Sequence, residues 1–190
     1  MSPFVNPRAS GAASDATDVL WSGVLLEVFA AETAGVEMHA LAEAELLAGV
    51  GIHGDRYATG RGHYAHLPHA DRQLTLIAQE VLDAVEAETG IRLSGQESRR
   101  NMVTRGVPLN DLVGTYFAIG DAVVFGGRLN VPCAYLERLI DKPVFTPLVG
   151  RSGLNCQIVR GARVRPGQVI RPLPDWPGDS SSPNGPGDPS

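Results

Sequence analysis

Glycine and proline punctuate this 190-residue chain so often, at 22 and 14 positions, that most of its apolar runs are too short for anything but strands. Runs of this kind, bounded by turn-forming residues, bury one or both faces of a sheet and then reverse. "SGVLLEVFAA" (22–31), "RQLTLIA" (72–78) and "RNMVTRG" (100–106) read as strands. "TYFAIGDAVVFGGRLNV" (115–131) reads as two strands joined at Gly120-Asp121, a hairpin signal. "LNCQIVRGARVRPGQVIRP" (154–172) reads as a further pair, with turns at Gly161 and Pro166-Gly167. The exception is "QEVLDAVEAET" (79–89), where Ile77, Val81, Leu82 and Val85 share one helical face and Gly90 supplies the stop. "AYLERLID" (134–141) reads as a short helix and "NDLVG" (110–114) as a helical turn. "MHALAEAELLAG" (38–49) is divided: propensity favours helix, whereas its length and the "GVGIHGD" that follows favour a strand feeding a turn. The pattern predicts a mainly β, barrel-like fold with one or two short helices, α+β by residue count.

Residues 1–20 and 173–190 are dominated by small, polar and Pro residues and bury too little apolar surface to offset their ordering entropy, so both ends are expected to be disordered around one domain at 21–172. A net charge of -5 argues against nucleic acid as a partner. No apolar run approaches the roughly 18 residues that span a bilayer, and the N-terminus lacks an apolar signal core, so a cytoplasmic protein acting on a small molecule is expected. The sequence leaves a Cys133–Cys156 bridge open, although free thiols suit a cytosolic chain better.

Chemistry concentrates at Cys133. Pro132 is tolerated at a helix start but not inside one, which sets the thiol at the start of the short helix. The helix dipole and Arg128 or Arg138 nearby would favour thiolate over thiol. A free cysteine is as readily a small buried hydrophobe. Cys156 alternates with Leu154 and Ile158 and reads as core. In "GVGIHGDRYATGRG" (49–62), Asp55 and Arg56 suit either a turn presenting an anion site or a loop stiffened by its own ion pair. "ESRRNMVTRG" (97–106) places Arg99, Arg100, Asn101, Thr104 and Arg105 together, either as a phosphate or pterin pocket or as a solvated basic edge. Arg151, between Gly150 and Gly153, is a second candidate anion clamp or a plain corner. His63, His66 and His69 fall within seven residues, but Pro68 breaks the helix that would align them on a metal. The chain has 15 arginines and one lysine, Lys142, which is the sole candidate for a Schiff base.

Four pieces taken in order, "GIHGDRY", "RQLTLIAQE", "RRNMVTRGVPLNDLVGTYFAIGDAVVFGGRLNVPC" and "GRSGLNCQIVRGARVRPGQVI", resemble a standalone MOSC domain, the family named after the C-terminal domain of molybdenum cofactor sulfurase. The resemblance implies a β-rich barrel that binds molybdenum cofactor (molybdopterin), with Cys133 as the signature cysteine: a molybdenum ligand or the bearer of a persulfide. It carries over to Asp55 and Arg56 in the glycine-Asp-Arg turn, to Arg99, Arg100 and Asn101, to Thr104 in the Thr-Gly region, to Arg128 upstream of Pro-Cys, and to Arg151 in the Gly-Arg-x-Gly turn. Some relatives have Gly-Glu-Asn where this chain has Arg-Arg-Asn. The implied activity is reduction of N-hydroxylated or N-oxygenated compounds, with electrons from a separate reductase; the alternative is a sulfur carrier using a Cys133 persulfide. A pyridoxal-phosphate role, known from fused members, has no supporting motif around Lys142.

Overall fold

The computed structural model describes residues 21–174 and 176–177. The expected disordered segments, 1–20 and most of 173–190, lie outside the described residues. Strands β1 (Gly23–Ala30), β5 (Leu74–Ala78), β6 (Met102–Arg105), β7 (Tyr116–Ile119), β8 (Ala122–Leu129), β9 (Leu154–Arg160) and β11 (Val169–Pro172) form a closed barrel in the order β11-β7-β8-β9-β5-β6-β1. The ring closes where Gly23 and Val24 of β1 pair with Ile170 and Val169 of β11. A two-residue strand, β2 (His39–Ala40), extends the sheet beyond β1, and β3 (Ala44–Leu47), β4 (Gly51–Ile52) and β10 (Ala162–Val164) form a small second sheet. Strand accounts for 34% and helix for 19% of the described residues, so the protein is mainly β.

All pairings in the barrel are antiparallel except β5 with β6. Parallel neighbours need a crossover. Here it is α1 (Gln79–Thr89) followed by α2 (Gly95–Ser98). Period-2 alternation then divides the strands' residues between two cores. Leu74, Leu76 and Met102 point into the barrel, while Ile77 and Val103 point outward to meet Leu82 and Val85 of α1. The outer core is completed by Leu136 of α3 (Ala134–Ile140) together with Val144 and Leu148.

The helix read at 79–89 and the hairpin at Gly120-Asp121 form as expected. The divided stretch 38–49 resolves to strands, because β3 pairs with β10 and β4, and Ala44 and Leu46 enter the barrel core. The pair expected over 154–172 is instead three strands, and none pairs with another of the three. β9 lies between β5 and β8, β10 joins β3, and β11 closes the barrel. The helical turn sits at Leu109–Leu112. Helix α2 was not expected; its signal is the Ser94-x-x-Glu97 capping box, with both reciprocal hydrogen bonds present. Cys133 and Cys156 are both free thiols, and Cys156 is fully buried in the barrel interior.

Candidate functional site

Strand β8 contains the local distortion from which the site is built. Its register against β9 shifts between Gly126, which opposes Cys156, and Arg128, which opposes Asn155, leaving Gly127 as the extra residue of a bulge. The ladder then ends. Asn130 donates its N–H to Gly153 at 2.7 Å, and Pro132 has no N–H to continue. Cys133 follows in an extended conformation (φ -137°, ψ 144°) as the residue that caps α3, its carbonyl accepting from Leu136 at 3.0 Å.

A cavity of about 530 Å³ opens at this point. Cys133 lines it, half-buried, together with five arginines: Arg56, Arg72, Arg99, Arg100 and Arg128. Among the described residues that line it there is no Asp, Glu or Lys. The aromatic part of the wall comes from Tyr57, His63, Tyr64 and Tyr135. The His63 ring stacks on Tyr135 (centroids 3.8 Å apart, planes at 6°) and meets Tyr64 edge-on. Tyr64 lies under the Arg72 guanidinium, 5.5 Å from its ring centroid. Burial pushes the Tyr64 phenol up, and the neighbouring Cys133 sulfur adds to that shift. Exposed Leu67, Leu129 and Val131 contribute apolar surface to the lining.

Arg100 is buried behind the cleft. Its Nε donates to the Ser152 carbonyl (3.0 Å), Nη1 to the Ser98 carbonyl (3.0 Å), and Nη2 to Ser152 Oγ (2.7 Å) and Asn130 Oδ1 (2.8 Å). All four acceptors are neutral. Burial, with the nearby Arg56 charge, therefore pushes Arg100 down to about 10. Arg99 is lowered for the same two reasons. Its backbone is left-handed (φ 63°) at the end of α2, a conformation that favours glycine.

Other residues singled out in the sequence stand behind the wall or away from it. Asp55 accepts from the N–H groups of Ala31 and Tyr57 (both 3.1 Å) and pairs with Arg56 at 3.1 Å, so it fixes the glycine-rich loop and aims Arg56. Asn101 ties β5 to β1, accepting from Thr75 Oγ1 at 2.9 Å and donating to the Phe29 carbonyl at 3.2 Å. Thr104 is fully buried, with its hydroxyl directed at the Ile77 carbonyl. Arg151 lies outside the cavity lining and pairs with Glu88 on the surface. Lys142 is also outside the lining, bound to Glu97 and to the Arg92 carbonyl. His63, His66 and His69 do not converge, and among the described residues no group of three or more His, Cys, Asp or Glu is arranged to hold a metal. Sequence reasoning missed Arg72, Tyr57, Tyr64, Tyr135, Asn130 and Asn155. Arg72, Tyr57, Asn130 and Asn155 lie within the matched pieces, which is the signal that could have identified them, whereas Tyr64 and Tyr135 carried none.

The barrel and its cavity define a small β-barrel domain with a cation-lined, thiol-bearing cleft. The MOSC domain family model matches residues 54–171, more than half of the chain, and the protein belongs to that family. The YuaD protein of Bacillus subtilis shares the fold, with a TM-score of 0.68 and 20% identity over 80% of this chain and 97% of that one. YiiM from Geobacillus stearothermophilus superposes with a TM-score of 0.62 (13% identity, 80% of this chain, 75% of that one). YiiM from Escherichia coli gives 0.59 (15% identity, 82% and 70%). At these identities the likeness concerns the fold. No curated protein matches the chain.

Proposed function

We propose that the cleft binds molybdenum cofactor, with Cys133 as the protein ligand of molybdenum, and that the protein reduces N-hydroxylated or related N-oxygenated compounds. The observation that carries this reading is Arg100: a buried guanidinium, satisfied only by neutral acceptors and facing the same cavity as an accessible thiol. A buried cation without a carboxylate is costly unless an anion arrives to pair with it. The five arginines would therefore face the cofactor's phosphate and polar pterin edge, and the soft Cys133 sulfur suits a soft, sulfur-ligated metal. When bound, the cofactor supplies two-electron oxygen-atom chemistry.

The residues present divide the remaining work. Arg100 and Arg128 hold negative charge, Tyr64 stands beside the Cys133 sulfur in the cavity wall, and Leu67, Leu129 and Val131 offer apolar surface for the substrate's carbon skeleton. The overall conversion takes an N–OH group, two electrons and two protons to N–H and water. The electrons come from a separate reductase. The cytoplasm, where such carriers are reduced, is the compartment this reading requires.

The test is elemental analysis and intact-protein mass spectrometry on wild type and Cys133→Ser made in a cofactor-competent host. Stoichiometric molybdenum in wild type and its loss in the variant are expected. A +32 Da adduct on Cys133 without molybdenum would overturn the reading in favour of a sulfur carrier.

A further inference from the structure

Asp71 is a buried carboxylate that the proposed function does not use. It is 3% exposed and lies behind the cavity wall, outside the lining. Its Oδ1 is 3.2 Å from Arg128 Nη2 and 2.7 Å from His69 Nδ1. Among the described residues neither carboxylate oxygen finds a well-aligned hydrogen-bond donor, so charge is what holds it. A buried carboxylate so placed is retained only if its cationic partner matters.

The bulge in β8 is fitted to this carboxylate. A Cβ on Gly127 would stand 2.4 Å from Asp71 Cβ, so any larger residue at the bulge would displace Asp71. Two features 56 positions apart in the chain, a side-chain-free bulge and a buried acid, thus occupy one space. What they share is Arg128, the residue directly after the bulge. Its side chain is 42% exposed in the cavity, where an arginine stem would otherwise sample several rotamers. His69, 53% exposed, covers the solvent side of the pair.

We propose that Asp71 is a positioning residue: it fixes the Arg128 guanidinium toward the cavity, so that recognition of an anionic ligand depends on a carboxylate the ligand never touches. This rests on the reading that the arginine-lined cleft takes an anion. The sign of the effect is diagnostic. If Asp71 acted only through its charge, removing it would make the cleft more positive and tighten anion binding. If it acts by holding Arg128, removing it loosens binding.

The experiment is calorimetric titration of pyrophosphate into the cofactor-free full-length protein, as wild type, Asp71→Asn, Arg128→Gln, the double variant, and Gly127→Ala as a second way to displace the carboxylate. Folding is checked by circular dichroism, and Gly127→Ala takes the place of Asp71→Asn in the cycle should the latter not fold. Arg128→Gln is expected to weaken binding about tenfold, the scale of one charge-assisted contact, and Asp71→Asn by a similar factor. The double variant should lose no more than Arg128→Gln alone. Tighter or unchanged binding in Asp71→Asn, or a full further loss in the double variant, overturns the positioning role while leaving the anion-binding cleft intact. Wild type that fails to bind pyrophosphate, or Arg128→Gln that binds like wild type, overturns the cleft reading and this one with it.

Discussion

Arg100→Met separates a cation kept for a ligand from one kept for the fold. Holding the guanidinium in the cleft lowers its pKa to about 10, mainly through burial, with the nearby Cys133 sulfur opposing the shift and the Arg56 charge adding to it. At about 1.4 kcal/mol per pKa unit, this is on the order of 3 kcal/mol of unfavourable free energy carried by the empty protein. The four hydrogen bonds to neutral acceptors, at about 1 kcal/mol each net, offset it. The two contributions nearly cancel, so a methionine of similar length should change the unfolding free energy of the cofactor-free protein by no more than about 2 kcal/mol. Binding behaves differently. An anion about 5 Å from the guanidinium, at an effective dielectric of about 20, gains about 3 kcal/mol, so the variant should bind pyrophosphate on the order of 100-fold more weakly. The linkage gives a second reading. The folded-state pKa lies below the unfolded one, so from about pH 10 upward the unfolded chain binds more protons until its own guanidinium titrates. Wild-type stability relative to the variant should therefore rise with pH across that window and stay flat below it. Urea unfolding and titration calorimetry measure the two quantities. A loss of more than about 4 kcal/mol with affinity unchanged would refute the reasoning and make Arg100 a staple between Ser98, Asn130 and Ser152.

Arg99→Gly should stabilise the empty protein by about 1 kcal/mol, because glycine adopts φ 63° without strain, while weakening pyrophosphate binding; chemical denaturation and calorimetry on one preparation measure both, and a destabilised variant with wild-type affinity would contradict it. Lys142→Met tests whether the lone lysine is structural. Burial raises Glu97, but hydrogen bonds from Lys142 and Ser94 outweigh it and hold the carboxylate below its ordinary value. The stabilising contribution is present above the unfolded-state pKa of a glutamate and lost as pH falls through the lower folded one. The gap between wild type and Lys142→Met should thus be largest near neutral pH and close in acid, as followed by thermal unfolding across pH 3–7. A gap independent of pH would rule out the Glu97 pair as its source.

The sequence revealed those parts of the fold that depend on local physics. The period-3.6 face of 79–89, the Gly90 stop and the Gly120-Asp121 hairpin are decided within a few residues. What it did not reveal is pairing at a distance. Nothing in "LNCQIVRGARVRPGQVIRP" distinguishes a hairpin from three strands that each leave for a different partner, because short Gly- and Pro-bounded runs are compatible with either. The stretch 38–49 shows the same limit in reverse: Ala, Glu and Leu favour helix, but burial of Ala44 and Leu46 in the barrel and pairing with β10 outweigh a per-residue preference of a few tenths of a kcal/mol.

At the site, legibility follows chain position. Arg99, Arg100, Arg128 and Cys133 stand out because they flank strand ends within recognisable runs, where a side chain can leave a sheet and face a cavity. Strict alternation would set Arg128 and Cys133 on opposite faces, yet both line one cleft. The alternation fails because Pro132 breaks the strand between them, and the bulge at Gly127 re-aims Arg128 beforehand. Tyr57 and Tyr64 stayed hidden for the opposite reason. Their loop has no period to read, and its conformation is set from outside: Asp55 by the Ala31 N–H, and the Arg56 N–H by the Ala31 carbonyl at 2.7 Å. The rigid half of the cleft is thus encoded in strand ends and the aromatic half in a loop held by a buried acid. Variation in ligand preference among barrels of this kind should accumulate in the loop, whereas substitutions at the strand ends should weaken binding of every anion alike.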